Sequence, residues 1–131
     1  MTALSPTLQA FFTERLISQR QVSPHTLLAY RDTFRLLLGF AHARTGKPPC
    51  DLDLTDLDAS AVSAFLDHLE HERRNGARTR NARLAAVHSL FGYAAFRHPE
   101  HAQLIQRVLA IPPKRFERAE VSFLTRTRST P

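Results

Sequence analysis

The segment Thr79-Arg80-Asn81-Ala82-Arg83-Leu84-Ala85-Ala86-Val87-His88-Ser89-Leu90-Phe91-Gly92-Tyr93-Ala94-Ala95-Phe96-Arg97 decides the fold. Leu84, Val87, Phe91 and Ala95 recur at intervals of three and four residues, which gathers apolar side chains on one side of a helix. The other side is small, with Ala82, Ala85, Ala86, Ser89 and Gly92, so a neighbouring helix or a nucleic-acid backbone can come close. Thr79 has the chemistry of an N-cap, and Asn75-Gly76 just before it interrupts the chain. Five arginines, Arg73, Arg74, Arg78, Arg80 and Arg83, fall within eleven residues across that turn. Guanidinium groups at the start of a helix, next to its unpaired N–H groups and the positive end of its dipole, suit an anion. A solvated, arginine-rich helix face is the equally open alternative.

Working outward, the remaining segments are also helical. Ser5-Pro6 reads as a cap and first turn, opening a helix to about Ser18 with Leu8, Phe11, Phe12 and Leu16 inward. Ser23-Pro24 repeats the signature and opens a second helix that runs to about Arg44, with Gly46 and Pro48-Pro49 behind it. Leu27, Tyr30, Phe34, Leu37, Leu38 and Ala41 form its stripe, and Leu28, Leu36 and Phe40 widen it. That breadth marks the second helix as the central, most buried one. Asp58 caps a third helix carrying Val62, Phe65, Leu66 and Leu69, and a short fifth starts near Pro99 with Leu104, Ile105 and Val108. No stretch shows the alternation of a strand, so the expected fold is all-α. From Ile111 on the pattern breaks, and Pro112-Pro113-Lys114-Arg115 begins an extended basic segment. The expected division is a helical domain over 1–111 and a linker over 112–131.

The chain has 131 residues, enough for one domain with a core. Its net charge is +6, sixteen of its eighteen basic residues are arginine, and Asp51, Asp53, Asp56 and Asp58 concentrate the acid in one short stretch. A basic surface with one acidic pole points to a polyanionic partner, and arginine suits the forked recognition of phosphates and guanine edges. Charge alone does not separate nucleic acid from an acidic protein or a membrane surface. The single cysteine, Cys50, excludes an internal disulfide and fits a reducing compartment. With no leader-like or membrane-length apolar run, the expected location is the cytoplasm and no membrane partner is expected.

Several residues look chemical and read better as structural. His71-Glu72-Arg73-Arg74 has an H-x-x-R spelling but lies on the third helix before the turn. Tyr30 and Tyr93 fall inside apolar helical patterns, where packing with the hydroxyl at the rim is the better account. The pairs His68/His71 and His98/His101 lack further ligands at zinc spacing, and the aspartate stretch lacks a calcium-loop pattern. No catalytic group, metal site or cofactor is expected, and the aspartates are read as helix caps.

Three segments carry a family resemblance. Ser23-Pro24-His25-Thr26 followed by Tyr30-Arg31, then Asn81-Ala82-Arg83-Leu84-Ala85-Ala86-Val87 with Leu90-Phe91 and Tyr93, then Ile111-Pro112-Pro113-Lys114 and Phe123-Leu124-Thr125 resemble the N-terminal core-binding domain of tyrosine recombinases of the phage-integrase, Xer-like type. The resemblance covers roughly residues 5 to 125. It implies an orthogonal SAM-like bundle of four to five helices with an extended C-terminal linker. It implies a DNA-binding domain that clamps duplex DNA during integration and recombination, with a catalytic domain and other recombinase protomers as partners. That family's tyrosine nucleophile and charge-steadying groups belong to the catalytic domain, which is expected to begin after Thr125, so this chain is not expected to be an enzyme by itself.

The same resemblance sets the helices opening at Ser23 and Thr79 against the major groove. Arg31, Arg78, Arg80, Arg83, Lys114 and Arg115 become phosphate candidates, His25, Thr26, Asn81 and His88 become groove candidates, and Thr79 is counted on the DNA-binding side with them. For Arg31 a salt bridge near Asp32 or solvent exposure is an equal alternative, and for His88 packing in its apolar face is slightly favoured. Arg80 and Arg83, in a polar first turn, are expected to carry affinity and little stability. Two other readings remain: a self-contained helix-turn-helix regulator, and a helical adaptor whose basic face meets an acidic protein.

Overall fold

The computed structural model of the protein describes residues 3–17, 23–72 and 76–115. Five α-helices account for most of them: α1 (Leu4–Ala10), α2 (Pro24–Thr45), α3 (Ala59–Glu72), α4 (Ala77–Arg97) and α5 (Ala102–Leu109). Short 3-10 turns cover Pro49–Asp51, Leu54–Leu57 and Pro99–His101, and no strand occurs among the described residues. The fold is all-α, as the sequence implied.

Local chemistry sets the ends. Ser23 Oγ accepts from the Thr26 N–H at 3.1 Å, and Pro24 supplies a first residue whose missing N–H costs nothing there. At the far end Gly46 takes φ 77° and its N–H donates to the His42 carbonyl at 2.8 Å, a left-handed stop that suits glycine. The aspartates do cap. Asp53 accepts from the Thr55 N–H at 3.0 Å, its own N–H donates to Asp56 Oδ2 at 2.8 Å, and Asp58 accepts from the Ala61 N–H at 2.9 Å. Lys47 lies 3.0 Å from Asp56 and offsets its charge.

Three expectations are corrected. The first helix begins at Leu4, not at a Ser5 cap. Ala3 bridges to Asp53 and the Leu4 N–H donates to the Leu52 carbonyl at 2.9 Å, so a neighbouring segment satisfies the helix start, while Ser5 Oγ donates to the Pro49 carbonyl at 3.4 Å. From Phe11 to Ile17 this helix continues with wider, π-type turns; Ser18 lies outside the described residues. The fourth helix begins at Ala77 after Gly76, so Thr79 is an exposed residue of its first turn and not its cap. The central helix is α4, not α2. It buries Leu84, Ala86, Val87, Leu90, Phe91, Tyr93 and Ala94, whereas α2 buries Thr33, Phe34, Leu37 and Ala41 and leaves Leu28 largely exposed. The breadth of the α2 stripe overstated its burial: Leu27, Tyr30, Leu36, Leu38 and Phe40 are only partly buried.

The core is continuous. Phe11 is fully buried, with its ring centroid 5.6 Å from Tyr93, 6.0 Å from Phe34 and 6.4 Å from Tyr30, so the first, second and fourth helices meet on one aromatic side chain. Val62, Phe65, Leu66 and Leu69 bring in α3, and Ile105 and Val108 close the bundle from α5. Because Leu84 is buried at the heart of this packing, Leu84→Ala is expected to destabilise the fold by roughly 2–5 kcal/mol. Gly46→Ala is expected to cost about 1 kcal/mol through its left-handed backbone. Urea titrations followed by helical circular dichroism measure both.

Candidate nucleic-acid interface

The N-terminal parts of α2 and α4 lie side by side around a crevice of about 570 Å3. Its walls are Thr26, Ala29, Tyr30, Asp32 and Thr33 from α2, and Arg78, Thr79, Ala82, Arg83 and Ala85 from α4. Small side chains keep it open, and the Tyr30 hydroxyl meets Ser89 Oγ at 3.2 Å further along, where the two helices close together. The structure therefore gathers Thr26, Arg78, Thr79 and Arg83 on one feature. His25 is exposed next to it, at the start of α2.

Other sequence candidates go elsewhere. Arg31 is exposed on the opposite side of α2, where it lines a second depression of about 770 Å3 with Leu8, Phe12, Leu28 and Arg35. His88 is half-buried and its Nε2–H donates to the Val108 carbonyl at 3.0 Å, which ties α4 to α5. Since a carbonyl only accepts, that contact fixes the tautomer. Asn81 spends its carboxamide on the backbone of Lys114, and Lys114 Nζ donates to Glu70. Arg115 is exposed beyond it. Arg73 and Arg74, together with Asn75 and the Phe123-Leu124-Thr125 segment, lie outside the described residues.

Arg80 and Arg83 correct the expectation made for them. Their side chains retain only 12% and 18% of their accessible surface, and each is held by carboxylates. Arg80 Nε lies 3.1 Å from Glu70 and its terminal nitrogen 3.6 Å from Asp67, both on α3. Arg83 lies 2.9 Å from Asp32 and donates to Thr33 Oγ1 at 3.0 Å, both on α2. The polar first turn is a junction between three helices, so these arginines carry structure. One sequence signal was available for the α3 pair. Glu70 precedes Asn75-Gly76 by about as many residues as Arg80 follows it, and consecutive antiparallel helices set such positions opposite each other; Asp67 lies about one turn further back on the same side. The pairing of Arg83 with Asp32, across half the chain, had no local signal.

The carboxylates respond. Arg35 donates to Asp32 at 2.6 Å and, with Arg83 on the other side, holds its carboxyl below the ordinary aspartate value. Glu70 is lowered likewise, first by Lys114 and also by Arg80. Tyr93 moves the other way. Burial raises its pKa, and its hydroxyl donates to Glu14 at 2.8 Å beside Arg97, so it is a packed residue and no activated nucleophile. Among the described residues, no three of His, Cys, Asp and Glu converge on a possible metal site. No described helix is long and apolar enough to cross a membrane.

Arg83→Ala is accordingly expected to cost about 1–2 kcal/mol of stability, by loss of a charged hydrogen bond and an ion pair that is partly open to solvent. The Asp32 contribution has a definite sign. Its folded pKa is depressed, so the stabilisation is present above the unfolded aspartate value, near 4, and disappears as pH falls through the folded value. Asp32→Asn should flatten the acid limb of a stability-against-pH curve and leave its neutral plateau lower.

Comparison with known proteins agrees with this architecture. The family model described as phage integrase, N-terminal SAM-like domain, matches residues 10–98. Integrase/recombinase y4rC of Sinorhizobium fredii is 56% identical over 124 residues, which is 95% of this chain and 37% of that protein. Integrase/recombinase y4rD of the same organism is 46% identical over 112 residues, 86% of this chain and 40% of its own length. Tyrosine recombinase XerC of Pseudomonas fluorescens is 36% identical over 78 residues, 60% of this chain and 24% of that protein. The chain thus spans well under half the length of the relatives it matches, and no solved structure gives a significant match. The matched span runs from the π-type segment to the end of α4 and takes in both walls of the crevice: the chain belongs to the phage integrase N-terminal SAM-like domain family.

Proposed function

We propose that this chain is the part of a site-specific recombinase that grips duplex DNA, with strand cleavage left to a catalytic domain outside residues 1–131. The observation that carries the reading is the crevice between α2 and α4. Two helix N-termini border it, three alanines keep it shallow, and Arg78, Thr79, Thr26 and the exposed His25 surround it. Helix N-termini and arginines attract phosphates, and small side chains let two helices settle deeply into a major groove. The names of the relatives support the assignment to recombination. Residues 112–131 then act as the basic linker toward the catalytic domain, and other recombinase protomers on the same DNA are the remaining partners.

The corrected geometry redistributes the roles. Arg78 and Arg115, exposed on the crevice side and at the outgoing chain, are the principal phosphate contacts, with Arg31 on the far flank of α2. Arg80, Arg83 and Lys114 hold the helices and the linker in place for them. Asn81 and His88 already spend hydrogen bonds on the Lys114 peptide and the Val108 carbonyl, which makes them weaker candidates for base contacts. The helix-turn-helix regulator loses ground because α3 and α4 are long and form a hairpin within a bundle. The adaptor reading is separated from DNA binding by salt.

In a fluorescence-anisotropy titration the chain is expected to bind duplex DNA of any sequence weakly, on the order of 10⁻⁴–10⁻⁶ M at physiological salt, with a log-linear loss of affinity as salt rises. Arg78→Ala should lower affinity for every sequence and reduce the salt slope by about one. A slope near zero, or preference for an acidic protein over DNA, would point to the adaptor. The chain should form no covalent adduct with a nicked suicide substrate, and adducts lost on Tyr30→Phe or Tyr93→Phe would refute the division of labour.

A further inference from the structure

We propose that Asn81 is a positioning residue for the outgoing chain: its carboxamide grips the Lys114 peptide on both sides and fixes where the residues after α5 leave the bundle. Asn81 Nδ2 donates to the Lys114 carbonyl and the Lys114 N–H donates to Asn81 Oδ1, both at 2.7 Å, between residues 33 apart in sequence. This is the exchange of bonds that a paired strand would offer, supplied by one side chain. Asparagine carries a donor and an acceptor on two separate atoms, spaced to face both groups of one peptide, whereas aspartate has acceptors only and a hydroxyl places both functions on one atom.

The sequence before Lys114 makes the grip specific. Ile111 is packed against the core and its N–H donates to the Val108 carbonyl at 3.1 Å. Pro112 and Pro113 have no N–H and a fixed φ, so they form a stiff two-residue spacer. Lys114 therefore offers the first free backbone donor after the helix, and it falls at Asn81. Its side chain turns to Glu70, the carboxylate that also holds Arg80. One cluster thus joins the end of α3, the first turns of α4 and the start of the linker. The chain leaves at the end of α4 that carries Arg78, on the side that faces Glu70 of α3. The bearing of this on a following domain rests on the recombinase reading above, whereas the grip itself does not.

The test uses the 131-residue protein with Asn81→Ala and Asn81→Asp. Amide exchange at Lys114 and tryptic cleavage after Lys114 and Arg115 are compared with exchange at the buried Val87 and Leu90. In Asn81→Ala, Lys114 exchange and cleavage should rise about tenfold, as expected for two lost hydrogen bonds at a surface, with Val87 and Leu90 unchanged. Asn81→Asp keeps the acceptor and loses the donor, so it should fall between the two. If Asn81→Ala loosens Val87 and Leu90 in parallel, Asn81→Asp decides by the same ratio. Affinity for a short DNA duplex should change by less than about twofold, since one neutral side chain is removed and no phosphate contact is lost. Unchanged Lys114 exchange in both variants overturns the proposal. So does a loss of affinity confined to particular base sequences, which would make Asn81 a reader of bases. A wild-type protein that binds no DNA would sink the functional reading and leave the exchange result standing.

Discussion

Two guanidinium groups on the first turns of α4 hold the working end of the molecule together. Arg80 turns to the carboxylates of α3 and Arg83 to Asp32 and Thr33 of α2. Hydrophobic burial sets the middle of the bundle, where Phe11, Leu84, Val87 and Phe91 lie, whereas the first turn of α4, Ala77 to Arg80, has no buried residue. There α2 and α4 are joined by the contact of Arg83 with Asp32 and Thr33, in which the guanidinium is largely covered and the carboxylate stays partly open to solvent. A guanidinium suits this position, because its planar fork satisfies two partners at once where an ammonium would act as a point charge.

This arrangement changes how the basic composition is understood. A net charge of +6 suggests a surface covered in cations, yet several arginines are matched internally: Arg35 and Arg83 with Asp32, Arg80 with Asp67 and Glu70, Arg97 with Glu14. The acidic residues outside the 51–58 stretch are what the arginines of the bundle are built around. Counting charges along a sequence gives the sign of the field and says little about which side chains project it.

How much was legible follows the range of the interactions. Ser23, Pro24, Gly46 and Asp58 act on neighbours a few residues away, and their roles could be read directly. The apolar spacing of α3 and α5 likewise marked their buried sides, and on α4 it found Leu84, Val87 and Phe91 but set the buried Ala86 on the open side. Errors arose where a distant segment satisfied a local need, as when Leu52 and Asp53 took over the start of the first helix from Ser5. Among the candidate residues, Thr26, Arg78 and Thr79 were brought to one crevice as a pattern of basic and small residues suggested. The contacts of Asn81, His88 and Lys114 were not legible, because their partners, at separations of 20 to 44 residues, meet them only once the bundle has closed.

The wide turns from Phe11 to Ile17 bear on how this chain tolerates length changes. Phe11 and Leu16 are both buried although five residues apart, a spacing that ordinary helical turns would place on different sides and that i→i+5 turns bring together. Glu14, within the same stretch, reaches Tyr93 and Arg97. The segment behaves as an α-helix with one residue inserted. A chain lacking one residue between Phe12 and Leu16 would keep the same inward side chains by returning to regular turns, with its apolar residues four apart. Deletion of a single residue is therefore a mild change here, in the middle of a helix, where elsewhere it would rotate the later side chains of that helix away from the core.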